Sequence, residues 1–123
     1  GFGTKQEVLL EDIAGFAAMS LRKPVLFEYN RTEELRSSRT RHAMYIRLRA
    51  GAKKNGDLSF IDMRAVMYTG AYGSHGLTVL TNTGSKTLPL YHWPNIRFDG
   101  TTAYTNLPVA GAYRGYGGTQ GGF

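Results

Sequence analysis

The sequence contains no cysteine. It can form no disulfide and offers no thiolate to zinc or to an iron-sulfur cluster, so any redox centre must be held by other residues or by another chain. No apolar run approaches the roughly eighteen residues that a membrane-spanning helix needs. The chain opens on Gly1 rather than methionine. No basic stretch precedes an apolar one, so no targeting segment is expected and the start reads as cut. Acidic residues are scarce: nine stand against 15 lysines and arginines, for a formal charge of +6 and a pI near 9.8.

What remains is ordinary for a folded protein. The 123 residues are 41% hydrophobic and 20% charged, enough for a single domain over 1–123 that buries about two thirds of its unfolded surface. Eight of the basic residues lie between Arg31 and Lys54. Such a cluster, with tyrosine and histidine nearby, suits a nucleic-acid backbone. No nucleic-acid motif accompanies it, and a solvated face, or one covered by an acidic neighbouring domain, is the simpler account.

Periodicity gives the elements. "QEVLLEDIAGFAAMSL" (6–21) places Leu9, Ile13, Phe16 and Ala17 on one helical face, with acids in the early turns where the helix dipole favours them. Pro24 stops that helix. "VLFEY" (25–29) reads as a short buried strand, and Thr32 as the N-cap of a single helical turn. "YIRLRA", the Asn55-Gly56 pair and "LSFIDMRAVMYT" describe a long antiparallel hairpin with Ile61, Met63, Ala65 and Met67 on one face. "LTVLTNTGSKTLPLY" (77–91) fits a short helix or a loop, ended by Pro89. "NIRFDGTTAYTN" (95–106) is a further strand with a break at Asp99-Gly100.

Both ends are glycine-rich. "GFGTKQE" opens the chain just before the first helix, and "GAYRGYGGTQGGF" (111–123) carries six glycines in thirteen residues. Glycine lets backbone come close to a bulky ligand, and a helix start favours an anionic one. A lone G-x-G pair, with no preceding strand and no third spaced glycine, defines neither a dinucleotide site nor a P-loop.

In order and spacing, however, "GFGTKQE", "RKPV", the set Arg31, Glu33, Glu34 and Arg41-His42, the hairpin, "PNIR", "TNLP" and "AYRGYGGTQG" resemble the molybdopterin-binding large subunit of the xanthine dehydrogenase and aldehyde oxidoreductase family. The resemblance covers essentially the whole chain. It implies an α+β fragment of a larger subunit, with one main N-terminal helix packed on a mixed or antiparallel sheet that contains the hairpin. It also implies that the glycine-rich end is an internal loop beside the cofactor.

Residue by residue, the resemblance implies that Phe2, between Gly1 and Gly3, and Arg114, followed by Gly115, bring backbone beside the molybdenum from two sides. Tyr116 falls where the family has an aromatic lining the substrate funnel. Gln6 falls where purine-oxidising members carry a glutamate, and no arginine stands near Asn82 where those members have one. Both departures point to an aldehyde or another aromatic heterocycle. The implied cofactor is a molybdenum-molybdopterin, with or without a nucleotide. Iron-sulfur clusters and FAD are implied on partner chains or domains, a downstream glutamate as general base, no catalytic residue within this stretch, and a cytoplasmic enzyme. The isolated chain is then expected to be inactive, and a small basic RNA-binding module or an inert structural piece is the alternative. His42, His75 and His92 lack metal-ligand spacing and read as structural, Trp93 as packing under the preceding loop, and Tyr113 as a support for the arginine loop.

Overall fold

The computed structural model describes residues 10–123, which form four helices and a three-stranded sheet. Gly1, Phe2, Gly3 and Gln6 lie outside the described residues.

Helix α1 (Glu11–Leu21) carries Glu11 and Asp12 in its first turn and ends at Arg22, whose φ of 51° is left-handed. The stop ahead of Pro24 is as the sequence predicts. The packing is not: no residue of α1 is buried, and Phe16 is 72% exposed. The expectation that this helix covers the sheet is therefore corrected, for its apolar stripe meets no partner among the described residues. Residues 25–29 form no strand either, because no neighbouring strand takes their backbone bonds, and Leu26 is 93% exposed. Helix α2 (Arg31–Ser37) is capped by Asn30 rather than Thr32. The Asn30 side chain accepts from the Glu33 N–H at 3.0 Å and the Glu33 carboxylate accepts from the Asn30 N–H at 2.8 Å, a reciprocal pair that satisfies two otherwise orphaned donors.

The hairpin stands as read. Strands β1 (Met44–Ala52) and β2 (Leu58–Tyr68) pair antiparallel, from Met44 opposite Met67 to Ala52 opposite Leu58. Gly56 supplies the positive φ, 92°, that its turn demands. Along β2 the alternation is strict, with Ile61, Met63, Ala65 and Met67 buried.

The ambiguous stretch after the hairpin is helical. Helix α3 (Gly76–Thr87) and a 3-10 turn (Leu88–Leu90) carry the chain back to β3 (Ile96–Ala103), which pairs parallel with β2, so the sheet is mixed in the order β1-β2-β3. A parallel neighbour requires such a crossover. It is α3 that covers the sheet: Val79 and Leu80 pack on Ala65 and Met67, while Leu88 joins Ile61 and Met63, with Trp93 against that second cluster. Strand β3 passes through Asp99-Gly100 without a break. Gly100 is not a bend but a gap, because a Cβ there would lie 2.9 Å from a Leu80 methyl. Gly84 on the facing helix has the Phe98 ring 3.0 Å from its own missing Cβ. Both glycines let helix and strand approach closely.

Candidate functional site

After β3 the chain runs back beside the start of the hairpin. The Thr105 N–H donates to the Gly70 carbonyl at 3.1 Å, that of Ala110 to Thr69 at 3.3 Å and that of Gly111 to Thr40 at 3.1 Å. Gly70, at φ 73°, makes room for this return, because a Cβ would meet the backbone of Val109 at 2.7 Å. These bonds deliver residues 113–117 to the side of α3, from His75 to Thr83, where the backbone coils tightly. The Tyr116 N–H donates to the Tyr113 carbonyl and that of Gly118 to the Gly115 carbonyl, each at 2.8 Å. Gly115, Tyr116 and Gly117 follow one another at φ 89°, 43° and 94°, a left-handed run that only glycine adopts freely.

Three contacts fix the coil. Nη2 of Arg41 donates to the Arg114 carbonyl at 2.6 Å, Nη1 donates to Thr119 Oγ1 at 2.5 Å, and the guanidinium lies 4.7 Å over the Tyr113 ring. Thr119 Oγ1 in turn donates to Gln120 Oε1 at 2.9 Å, and Gln120 Nε2 donates to the His42 carbonyl at 3.2 Å. The circuit returns to the residue beside its origin. A planar guanidinium with several fixed donors makes such a clamp, and a lysine does not.

On the other side the coil rests on α3. The buried Thr83 hydroxyl donates to the Gly117 carbonyl at 3.2 Å, and a Cβ on Gly117 would collide with the Val79 carbonyl. Gly121, in helix α4 (Gly118–Gly121), has no room for a side chain beside Thr83 and Thr87. The glycine-rich end is thus packed backbone against a helix.

Tyr116 sits against the cluster of Ala65, Met67, Val79 and Leu80, and its hydroxyl hydrogen-bonds Nδ1 of His75. His75, at φ 50°, begins α3. His42 lies beneath the coil, buried, its Nε2 without a partner. Burial lowers its pKa from the ordinary 6.5, the nearby His75 lowers it further, and a backbone hydrogen bond at Ser74 acts in the opposite sense.

The exposed side of the coil borders an open cleft of about 560 Å³, lined by Arg41, Ala112, Tyr113, Arg114, Gly115 and Thr119. Arg114 and Gly115, singled out by the family resemblance, stand at its wall. Arg41 stood in the resembling Arg41-His42 pair but carried no assigned role, and His75 looked like an isolated histidine; the pairing of Thr40 with Ala110 brings Arg41 to the loop. Tyr113 does not pack into the core but stays half exposed, and it meets the loop's clamp through the Arg41 guanidinium over its ring. The basic cluster itself is dispersed: Arg31 and Arg36 lie on α2, Arg41 is in the clamp, Arg47 and Arg49 are on the sheet, and Lys53 pairs with Asp57 at 4.0 Å. Among the described residues no group of three or more histidine, aspartate or glutamate side chains is placed to hold a metal ion.

The fold thus brings a glycine coil to the wall of an open cleft that Arg41, Tyr113, Arg114 and Thr119 also line. The family model of the molybdopterin cofactor-binding domain matches residues 1–123, and the chain belongs to that family. It is 43% identical over its whole length to the probable hypoxanthine oxidase XdhD of Escherichia coli K12, of which it covers 13%. It is 34% identical over 98% of its length to the nicotinate dehydrogenase large molybdopterin subunit of Eubacterium barkeri, covering 28% of that chain. Among solved structures, the aldehyde oxidoreductase of Desulfovibrio gigas superposes with a TM-score of 0.79 at 30% identity, over 98% of this chain and 13% of that one. The chain therefore spans a small part of the relatives it matches.

Proposed function

We propose that these 123 residues are one unit of the larger molybdenum-bearing subunit of a molybdenum hydroxylase, an oxidoreductase that hydroxylates an aldehyde or an aromatic heterocycle with oxygen derived from water. The observation that carries this reading is the meeting of a whole-length match to the molybdopterin cofactor-binding domain with the Arg114-Gly115 backbone at an open cleft.

The residues present fit such a group. The cleft is roomy, Gly115 brings no side chain to its wall, and the Arg114 carbonyl is held in place by Arg41. Arg114 and Gly115 form one wall of the cofactor site; Gly1, Phe2 and Gly3, outside the described residues, are assigned to the same group by the resemblance of their motif alone. When bound, the molybdenum-pterin supplies the two-electron oxidation. The chain's own part is to hold backbone close and keep the coil rigid; the substrate roles of Tyr116, which packs toward α3 rather than lining this cleft, and of Gln6, outside the described residues, rest on the resemblance. The general base lies downstream, and iron-sulfur and flavin partners take the electrons in a cytoplasmic assembly. No helix of the described residues is long and apolar enough to cross a membrane.

Molybdenum by elemental analysis, with pterin fluorescence after oxidation, tests the reading on the full-length subunit and on the 123 residues alone. Equimolar metal and pterin in the full-length subunit is the expected result. A full-length subunit that folds and carries neither refutes it. The short chain is expected to carry none and to turn over no substrate.

A further inference from the structure

The sheet has two faces, and the described residues cover only one. Ile61, Met63, Ala65 and Met67 point toward α3, so the residues between them point away. Across the three strands that outer face reads in rows. Arg49, Asp62 and Arg97 stand side by side, and the next row is Arg47, Arg64 and Asp99. In the first row Asp62 is shared, 3.9 Å from Arg49 and 4.0 Å from Arg97. In the second, two arginines are direct partners across an antiparallel pair, where like charges destabilise. Neither Arg47, Arg64 nor Asp99 forms an ion pair with a described residue. The six side chains rim a depression of about 150 Å³, with four positive charges against two negative.

We propose that this outer face is an interface, covered in the full-length protein by a carboxylate-bearing surface of the remaining polypeptide that pairs with Arg47 and Arg64. The inference rests on the chain's being part of a larger subunit. Two observations converge on it. The Arg47-Arg64 pairing is unfavourable until an anion lies over it, and arginine is suited to bidentate carboxylates. The relatives are several times longer than this chain, and a subunit of that length has polypeptide to supply the layer. An acidic protein surface fits better than a nucleic acid, because Asp62 and Asp99 lie among the arginines and would repel phosphates in a continuous backbone.

Phenylglyoxal labelling of arginine in the native full-length subunit, read peptide by peptide by mass spectrometry, tests this. Both side chains are exposed in the present fold, so only a further layer can protect them. The expected result is labelling of Arg47 and Arg64 about tenfold slower than in the same protein unfolded in urea, as for groups at a water-excluding interface. In the double variant R47E/R64E, labelling of Arg49 and Arg97 should rise toward the unfolded rate, while R47K/R64K should keep them protected. Labelling of Arg47 and Arg64 at the unfolded rate in the native subunit overturns the proposal. So does protection that appears only when a single-stranded oligonucleotide is added at low salt. Labelling requires no cofactor, so a metal-free subunit with a protected face would count against the cofactor reading and leave this one standing.

Discussion

The guanidinium of Arg41 and the carbonyl of Arg114 are 2.6 Å apart although 73 positions separate them in sequence. The bond joins the start of the hairpin to the coil at the cleft, and the same side chain holds Thr119 and lies over Tyr113. Arg41→Ala removes all three contacts at once. Because the site is open to solvent, the loss of stability should be modest, about 1–2 kcal/mol. The loss of molybdenum from the full-length subunit should be larger in proportion, since the wall of the cleft is what loosens. Arg41→Lys should behave like Arg41→Ala in metal content, because an ammonium group cannot serve both acceptors and the ring in one geometry. Urea midpoints alongside metal analysis check both parts.

Two glycines should respond in opposite directions to alanine. At Gly117, φ is 94° and a Cβ would strike the Val79 carbonyl, so Gly117→Ala should cost about 2 kcal/mol or more. Gly15 lies in the middle of α1 with nothing within 4 Å of its missing Cβ, so Gly15→Ala should stabilise the helix by about 0.5–1 kcal/mol. Thermal unfolding of the two variants beside the parent gives the comparison.

His42 makes stability depend on pH in a definite direction. Its pKa is lowered in the folded state, chiefly by burial, so the unfolded chain binds the proton more tightly. The stabilisation is fully present above the ordinary value of 6.5 and is lost as pH falls through that value toward the folded one. Urea midpoints measured between about pH 8 and pH 5 should fall on the acid side, and His42→Phe should flatten that slope whatever its own stability. A slope unchanged in the variant would assign the effect to other groups.

The hydroxyl of Tyr116 hydrogen-bonds Nδ1 of His75, whose Nε2 is already without a partner. Tyr116→Phe keeps the ring on its cluster but leaves both ring nitrogens of His75 unpaired. A cost of about 1 kcal/mol is expected, with metal content unchanged and substrate kinetics altered. Undiminished kinetics in the full-length enzyme would remove Tyr116 from the substrate funnel.

The parts of this molecule legible in the sequence are those set by local rules. Alternation placed Ile61, Met63, Ala65 and Met67 on the buried face, and the Asn55-Gly56 pair placed the turn. Local rules failed where distant residues decide. The apolar stripe of α1 predicted a helix on the sheet, yet α3, less apolar overall and with two buried glycines, takes that place because Gly84 and Gly100 let it settle on β3. Gly100 looked like a break for the same reason: a missing side chain reads alike whether it serves a bend or a close approach. At the site, the family resemblance pointed to Arg114 and Gly115, whereas Arg41, part of the resembling set, had no role to read until the chain brought Thr40 beside Ala110.

Gly115 is the residue on which the cofactor reading turns, since it lines the cleft with backbone alone. The most direct measurement is the molybdenum and pterin content of the full-length subunit carrying Gly115→Val, compared with the parent. The Thr119→Ser background removes the methyl that the new side chain would meet at 2.6 Å and keeps the hydroxyl that Arg41 holds. The account predicts a variant that still unfolds cooperatively and has lost most of its metal and pterin, while Thr119→Ser alone retains both. A folded Gly115→Val subunit with the parent's full content of both would contradict it.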